Sequence, residues 1–216
     1  MRIFLRPCGT LLLAVLPLPL IAVMPLREQW QAACRSFAQG NPVNALAAFR
    51  TFDQWYGNEP EIADPVFNEI RIRLWGLAAM QAGELEEAAR LLERWFIENP
   101  ESERFRAFLR FQLAGIYQNL GDRENTARHR RAFLESHPDL PESALIRWVM
   151  ADEAFAEKDF ATARDQLLQV REAAHLPPSG RSLAAAALAL VELADGNAGA
   201  ALGYLRSETE GTGALI

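Results

Sequence analysis

The chain has 216 residues, of which half are hydrophobic and 23% are charged, and its formal net charge is −6. This composition is typical of a globular protein and excludes a disordered or fibrous chain. Because the net charge is negative, the protein has no overall positive field to attract nucleic acid, and we expect no nucleic acid partner.

The N-terminal segment has the layout of an export signal. Arg2 and Arg6 precede an apolar run from Leu11 to Leu26 that contains three prolines. A basic start followed by such a run is typical of a secretory signal. The run is shorter than the roughly 20 apolar residues of a spanning helix, and its prolines disfavour a straight one. We therefore expect residues 1–26 to be a cleaved signal peptide of a protein exported to the bacterial periplasm or cell envelope, with an N-terminal membrane segment as the alternative.

The rest of the chain contains a repeat. The residues Gly40, Gly83, Gly121, Lys158 and Gly196 stand 43, 38, 37 and 38 residues apart. Alanine stands five residues after four of them, and threonine stands there after Gly121. A large apolar residue stands nine residues after every one except Gly121. Such spacing is the signature of a repeat architecture.

The segments around these five positions have apolar residues at steps of three and four, which predicts amphipathic helices. No segment keeps a period of two between turn signals, so we predict an all-α protein without a sheet. Pro100 and Pro138 should end the helices that precede them. The acidic or amide residue after each turn position should cap the next helix. These capping candidates are Asn41, Glu84, Asp122, Asp159 and Asn197.

The second unit resembles a tetratricopeptide repeat, in which a glycine turn joins two helices. Its matching residues are Trp75, Gly76, Gly83, Ala88, Leu92 and Pro100. The third unit is similar, with Ala114, Tyr117, Gly121, Phe133 and Pro138 in register. The fourth unit has Lys158 in place of the turn glycine, and the first and fifth units lack the closing proline.

The resemblance implies a right-handed superhelical solenoid of about five antiparallel helix pairs. The pairs are expected at about 27–60, 64–100, 102–138, 141–175 and 180–209. They would form one repeat domain at 27–209, followed by a flexible tail at 210–216. Because one pair cannot bury its own apolar face, each pair is expected to pack on its neighbours.

No catalytic, cofactor-binding or metal-binding motif stands out in the sequence. His129, His137 and His175 lack metal-ligand spacing and are expected on the surface or in turns. Signatures of a nucleophile elbow, a zinc protease, a dinucleotide site and a phosphate loop are missing. We predict a non-enzyme that holds no cofactor or metal. The arginine-rich stretch 123–131 is either a solvated outer face or a basic patch for an acidic partner.

In the family that the sequence resembles, the first helix of each pair lines a concave groove that binds partners. Matching those groove positions onto this sequence gives candidate partner-binding residues in the second, third and fourth units. They are Arg73, Gln81, Gln118, Asn119, Trp148 and Asp152. An aromatic side chain in a groove can anchor a partner, although Trp148 also fits a core position.

These observations favour a non-catalytic protein–protein interaction scaffold of the bacterial cell envelope, whose groove binds another protein or peptide. Two alternatives stay open. One is a structural segment that self-associates through an exposed apolar C-terminal end, and the other is an accessory domain of an enzyme complex. A membrane association would depend on the N-terminal segment.

Overall fold

The computed structural model describes the backbone of residues 25–213 and the side chains of residues 25–206. Residues 1–24, which hold most of the predicted signal peptide, and residues 214–216 lie outside this part. Within the described part, no helix combines the length and the apolar character that crossing a membrane requires.

Residues 25–213 form ten α-helices and one short 3₁₀ helix at Pro60–Ala63, and no strand. The α-helices pair into five hairpins in chain order. The hairpins are α1 (Leu26–Ala38) with α2 (Pro42–Tyr56), α3 (Pro65–Gln81) with α4 (Leu85–Glu98), α5 (Arg106–Asn119) with α6 (Arg123–Ser136), α7 (Pro141–Ala156) with α8 (Phe160–Glu172), and α9 (Pro178–Ala194) with α10 (Ala198–Gly213). The all-α prediction is confirmed.

The last helix is longer than the sequence suggested. Because α10 continues through Gly213, residues 210–213 are helical rather than part of a flexible tail. No proline interrupts the chain from Ala198 to Gly213, and no residue in this helix has a positive φ. The backbone hydrogen bonds of the helix can therefore continue.

The five hairpin turns share one backbone geometry. Gly83 and Gly121 have φ angles of +84° and +73°, and Lys158 has a φ of +63°. In every turn, this residue's amide donates to the carbonyl three residues earlier, and the following amide donates to the carbonyl five residues earlier. These bonds define the Schellman motif that ends a helix. Glycine adopts this conformation freely, whereas for a residue with a Cβ it costs roughly 1–2 kcal/mol.

Side chains cap some of the second helices. Asn41, Asp122 and Asp159 accept a hydrogen bond from the amide three residues later, at 3.2, 3.0 and 3.1 Å. Glu84 makes no such bond, because its longer side chain does not reach back to the helix as the shorter residues do. Asn197 instead donates its side-chain amide to Glu192 at 3.1 Å. The capping prediction is confirmed for the first three residues and is wrong for Glu84.

Apolar side chains fill the space between the helices of each hairpin and between successive hairpins. One cluster contains side chains from all of the helices α1 through α5 and includes Phe49, Leu92 and Trp95. Another contains side chains from α7, α8 and α9. Gly76 lies so close to α4 that an added Cβ would stand 2.6 Å from the Leu92 side chain. Ala88 is fully buried. These small residues therefore let α3 and α4 approach closely.

Ion pairs accompany the apolar packing at every junction between successive hairpins. In each pair, one member or both are largely buried, which makes these contacts costlier to break than surface pairs. The pairs are Arg71 with Asp53, Arg128 with Glu93, Arg130 with Glu153, and Arg164 with Glu192.

Candidate functional site

The first helices, α1, α3, α5, α7 and α9, leave one side exposed, which we call the inner face. Thirteen residues before the turn, four of these helices carry a large apolar residue. Ile70 is half-buried there, and Phe108, Leu145 and Leu183 are 47%, 53% and 59% exposed. Because the repeat places these residues at one register, they form an apolar row across successive hairpins. Exposed rows of this kind mark interaction sites.

A cleft of about 240 Å³ opens in the inner face between α7 and α9. Leu190 of α9 is 63% exposed and Phe155 of α7 is 39% exposed, although both are large apolar residues. Trp148 is half-buried, since part of it packs against the core of the fourth and fifth hairpins and part lines the cleft. The full lining is Trp148, Ala151, Asp152, Phe155, Leu167, Ala187, Leu190 and Val191.

Asp152 is the one ionisable residue among those that line this cleft. It is exposed, and within the described residues it makes no hydrogen bond or ion pair. The neighbouring Glu153 differs, because it accepts hydrogen bonds from both terminal nitrogens of Arg130 at 2.6 and 3.0 Å. The α7–α9 cleft is therefore apolar apart from a single unpaired carboxylate.

The part of the inner face formed by α3 and α5 has a different chemistry. The guanidinium of Arg73 lies over the ring of Phe105, 3.6 Å from its centroid, and Arg104 approaches the same ring at 5.1 Å. Burial lowers the pKa of Arg73, although the charge of Glu69 opposes this shift. Because Arg73 already stacks on an aromatic face, it helps to fix Phe105 as well as presenting charge.

The three predicted amide residues lie near the C-terminal ends of their helices. Gln81 is exposed at the end of α3. Asn119 donates to the carbonyl of Gly115 in its own helix at 2.8 Å. Gln118 lies 3.5 Å from Glu153 of the next hairpin. Of the six predicted groove residues, the structure thus brings only Trp148 and Asp152 together in one cleft.

The apolar residues that surround this pair were not among those predicted from the sequence. Leu145, Phe155, Leu183 and Leu190 are all exposed on α7 and α9. Phe155 stands three residues before its turn and Leu190 six before its own. Counting backwards from the turn positions would have identified them, because every first helix has the same register relative to its turn.

A second and larger cleft, of about 760 Å³, lies between α6 and the hairpin of α7 and α8. It contains much of the arginine-rich stretch. Arg130 is bonded to Glu153, and Arg123 lies 3.4 Å from Glu157. Arg128, outside the cleft, pairs with Glu93. Each of these three arginines has a carboxylate partner, and within the described residues only Arg131 of the stretch has none, so the stretch does not form a continuous basic patch.

His129 is buried, contrary to the expectation of a surface position. Its Nε2 lies 2.8 Å from a carboxylate oxygen of Glu93, and its ring stacks on Tyr117 at 5.5 Å. Burial tends to raise the pKa of Glu93, but hydrogen bonds and charges from His129 and Arg128 outweigh it and lower that pKa overall. Burial and the Glu93 carboxylate raise the pKa of Tyr117 to about 12.

This cluster joins α4, α5 and α6 inside the protein, so its side chains serve packing rather than an open reaction site. Within residues 25–206, no group of three or more histidine, cysteine, aspartate or glutamate side chains is placed to hold a metal ion.

Comparison with solved structures identifies the architecture. The MamA protein superposes with a TM-score of 0.60 at 11% identity, covering 86% of this chain and 90% of that chain. TPR-like repeats of a putative kinesin light chain from Podosopora anserina give a TM-score of 0.55 at 19% identity, with coverages of 86% and 93%. BtubC from P. vanneervenii gives 0.52 at 15% identity, with coverages of 89% and 92%. The chain has a tetratricopeptide-like solenoid fold.

The tetratricopeptide-like fold confirms the prediction of a right-handed superhelical solenoid with about five antiparallel helix pairs. The inner face is formed by the first helix of every pair, the helices that the resemblance expects to line a groove. No family model and no curated protein matches the sequence.

Proposed function

We propose that this protein is a non-catalytic scaffold of the bacterial cell envelope, which binds a segment of another protein along its inner face. The fold is one used for protein interactions, and fold by itself does not define a function. The observation that carries the proposal is the apolar row of Phe108, Leu145 and Leu183, whose side chains are 47%, 53% and 59% exposed across three successive hairpins. Such a row stabilises a complex when a partner covers it.

The envelope location is supported by the N-terminal sequence. Two arginines followed by an apolar run are typical of export, and the run ends at Leu26, where the first described helix begins. Protease protection in intact cells and spheroplasts tests this part separately. An exported protein becomes degradable once the outer membrane is opened, whereas protection until the inner membrane is lysed would contradict export.

Photo-cross-linking in intact cells tests the binding face. A photoreactive residue at Leu183 or Leu145 should give a discrete cross-linked partner band. The same residue at Arg90, which is exposed on α4 away from the inner face, should not. The band at Leu183 should disappear when Trp148→Ala is introduced into the same chain. Equal cross-linking at Arg90 and Leu183 would contradict inner-face binding.

Self-association through the fifth hairpin is a second candidate function, favoured by one observation. Leu205 stands nine residues after its turn and is 45% exposed, whereas the equivalent Leu92 and Leu167 are 0% and 4% exposed. A further hairpin follows α4 and α8, but within the described residues none follows α10. Leu202 on the same helix is 53% exposed. A second copy could cover this apolar surface.

Light scattering over a concentration series tests self-association. If α10 mediates it, the mass should rise with concentration, and Leu205→Glu should hold the protein at the monomer mass. Leu183→Glu is the matched control, since it places the same charge on the inner face. A constant monomer mass for the unmodified protein would exclude this second function and leave the scaffold proposal unaffected.

A further inference from the structure

The α7–α9 cleft differs from the rest of the inner face in a way that specifies its occupant. Trp148, Phe155 and Leu190 expose apolar surface around the carboxylate of Asp152. None of the cleft-lining residues is cationic, and the arginine nearest in sequence, Arg147, lies 3.5 Å from Gln166 of α8. Asp152 therefore has no cationic partner within residues 25–206.

Covering this cleft has two opposite energetic consequences. Burying the exposed apolar surface is favourable, at roughly 25 cal/mol for each Å² removed from water. Removing water from the carboxylate is unfavourable unless the occupant supplies a hydrogen-bonded or cationic partner. A purely apolar occupant would leave Asp152 buried and unpaired. The carboxylate therefore selects against such an occupant and favours one that brings a positive charge.

The size and setting of the cleft favour a polypeptide over a small molecule. Its volume of about 240 Å³ lies below the roughly 300–1,000 Å³ that is typical of small-molecule pockets. Exposed leucines, Leu145 and Leu183, extend the apolar surface beyond the cleft along the same two helices. A chain segment can insert one large side chain into the cleft and also contact these flanking leucines.

We propose that the α7–α9 cleft binds a protein segment that inserts a large apolar side chain beside Trp148 and Leu190 and places a lysine or arginine against Asp152. This rests on the proposed function, that the inner face binds a protein partner, and it adds the chemistry that the partner must have. The inserted side chain supplies the affinity, and the ion pair with Asp152 supplies selectivity.

Selection from a random peptide library tests the proposal, because the library offers every combination of apolar and charged side chains to the cleft. A phage-displayed library of random dodecapeptides is panned against the purified full chain and against three variants. Asp152→Asn keeps the size and shape of the side chain but removes its charge. Leu190→Ser removes apolar surface from the cleft. Glu86→Gln removes a charge from the exposed side of α4 and is the matched control.

The wild type and the Glu86→Gln control should enrich peptides that combine large apolar residues with lysine or arginine. Asp152→Asn should still enrich apolar residues but should lose the enrichment in basic residues, while Leu190→Ser should reduce both. A synthetic peptide from the wild-type selection should bind Asp152→Asn about five- to tenfold more weakly, as expected for one partly buried ion pair. This difference should shrink at high salt.

The outcomes separate this inference from the proposed function. Enriched apolar peptides without basic residues, or equal binding by the wild type and Asp152→Asn, would overturn the role of Asp152 while leaving inner-face binding intact. Failure of all four proteins to enrich any peptide would overturn both. Unfolding curves of each variant, compared with the wild type, show whether a loss of binding reflects a loss of folding.

Discussion

Two junctions between hairpins carry different residues at the same repeat positions. One lies between the second and third hairpins, and the other between the third and fourth. Leu92 and Ala89 of α4 are 0% and 5% exposed and belong to one core that continues into α5. The equivalent residues of α6 are Arg130, which is bonded to Glu153, and Ala127, which lines the 760 Å³ cleft. Fewer residues of α6 and α7 lie close to each other than residues of α4 and α5 do.

The difference shows what happens when a charged residue occupies a repeat position that is otherwise apolar. An arginine is tolerated there because the next helix offers a carboxylate, so that the guanidinium is not buried alone. The ion pair and an open cleft of about 760 Å³ lie between α6 and the hairpin of α7 and α8. The solenoid is therefore continuous in its backbone but not in its apolar core.

The largest effect is expected where the core is continuous. Leu92→Ala should lower the free energy of unfolding by about 2–5 kcal/mol, since it removes a fully buried side chain and leaves a cavity between α3 and α4. Urea denaturation measures this change. Glu86→Ala on the exposed side of α4 is the control and should change stability by no more than about 0.5 kcal/mol. Similar losses for both variants would show that α4 is not packed as described.

Substitutions at the junction between the third and fourth hairpins, which contains the ion pair of Arg130 and Glu153, should lower stability by less. Arg130→Ala should cost about 1–2 kcal/mol, because it leaves Glu153 unpaired while that side chain is already 47% exposed. Replacing both residues by leucine should restore most of the loss, since an apolar pair can substitute for an ion pair at an interface. Denaturation of the single and double variants measures this. A double variant as unstable as Arg130→Ala would mean that the ion pair is specifically required.

A substitution in the turn of the fourth hairpin should change stability by a smaller amount and in the opposite direction. Lys158→Gly should raise the free energy of unfolding by about 1 kcal/mol, because glycine adopts the positive φ of this turn without strain. Gly121→Ala in the turn before it is the mirror experiment and should cost about the same amount. Nothing lies within 4 Å of a Cβ added at Gly121, so any loss there reports backbone strain alone. An unchanged midpoint for both would contradict the turn geometry.

The smallest effect is confined to acidic conditions and concerns Glu93, the carboxylate beside His129. Its pKa in the folded protein lies below the ordinary value of 4.5. The stability that Glu93 contributes is therefore fully present above pH 4.5. It is lost as the pH falls through the pKa of Glu93 in the folded protein. Glu93→Gln should be less stable than the wild type at neutral pH, and urea midpoints should converge at acidic pH. A difference that is independent of pH would exclude this ionic contribution.

Much of the local structure could be predicted from the sequence. The four turn glycines, Lys158 and the closing prolines gave the five hairpins and the helix ends, because turn geometry depends on the residues that occupy the turn. Of the six predicted groove residues, Trp148 and Asp152 line one cleft, and their role in binding a partner stays a prediction. The surrounding leucines were missed, since an apolar residue on an amphipathic helix looks the same in sequence whether it is buried or exposed.

Other features depended on contacts between distant parts of the chain. The burial of His129 depends on Glu93 and Tyr117, which lie on two other helices. Arg130 of the arginine-rich stretch is buried and pairs with Glu153 of the next hairpin. Neither result follows from local pattern, because each needs a partner more than ten residues away in sequence.

The sequence by itself determined that this protein is a series of helical hairpins with a regular register, since backbone conformation at each turn is set by adjacent residues. Only the tertiary structure decided which apolar side chains stay uncovered on the inner face, where the core is interrupted, and which charges remain without a partner. The physical reason is that burial and ion pairing depend on the distances between helices, and those distances are set by the packing of all the hairpins together.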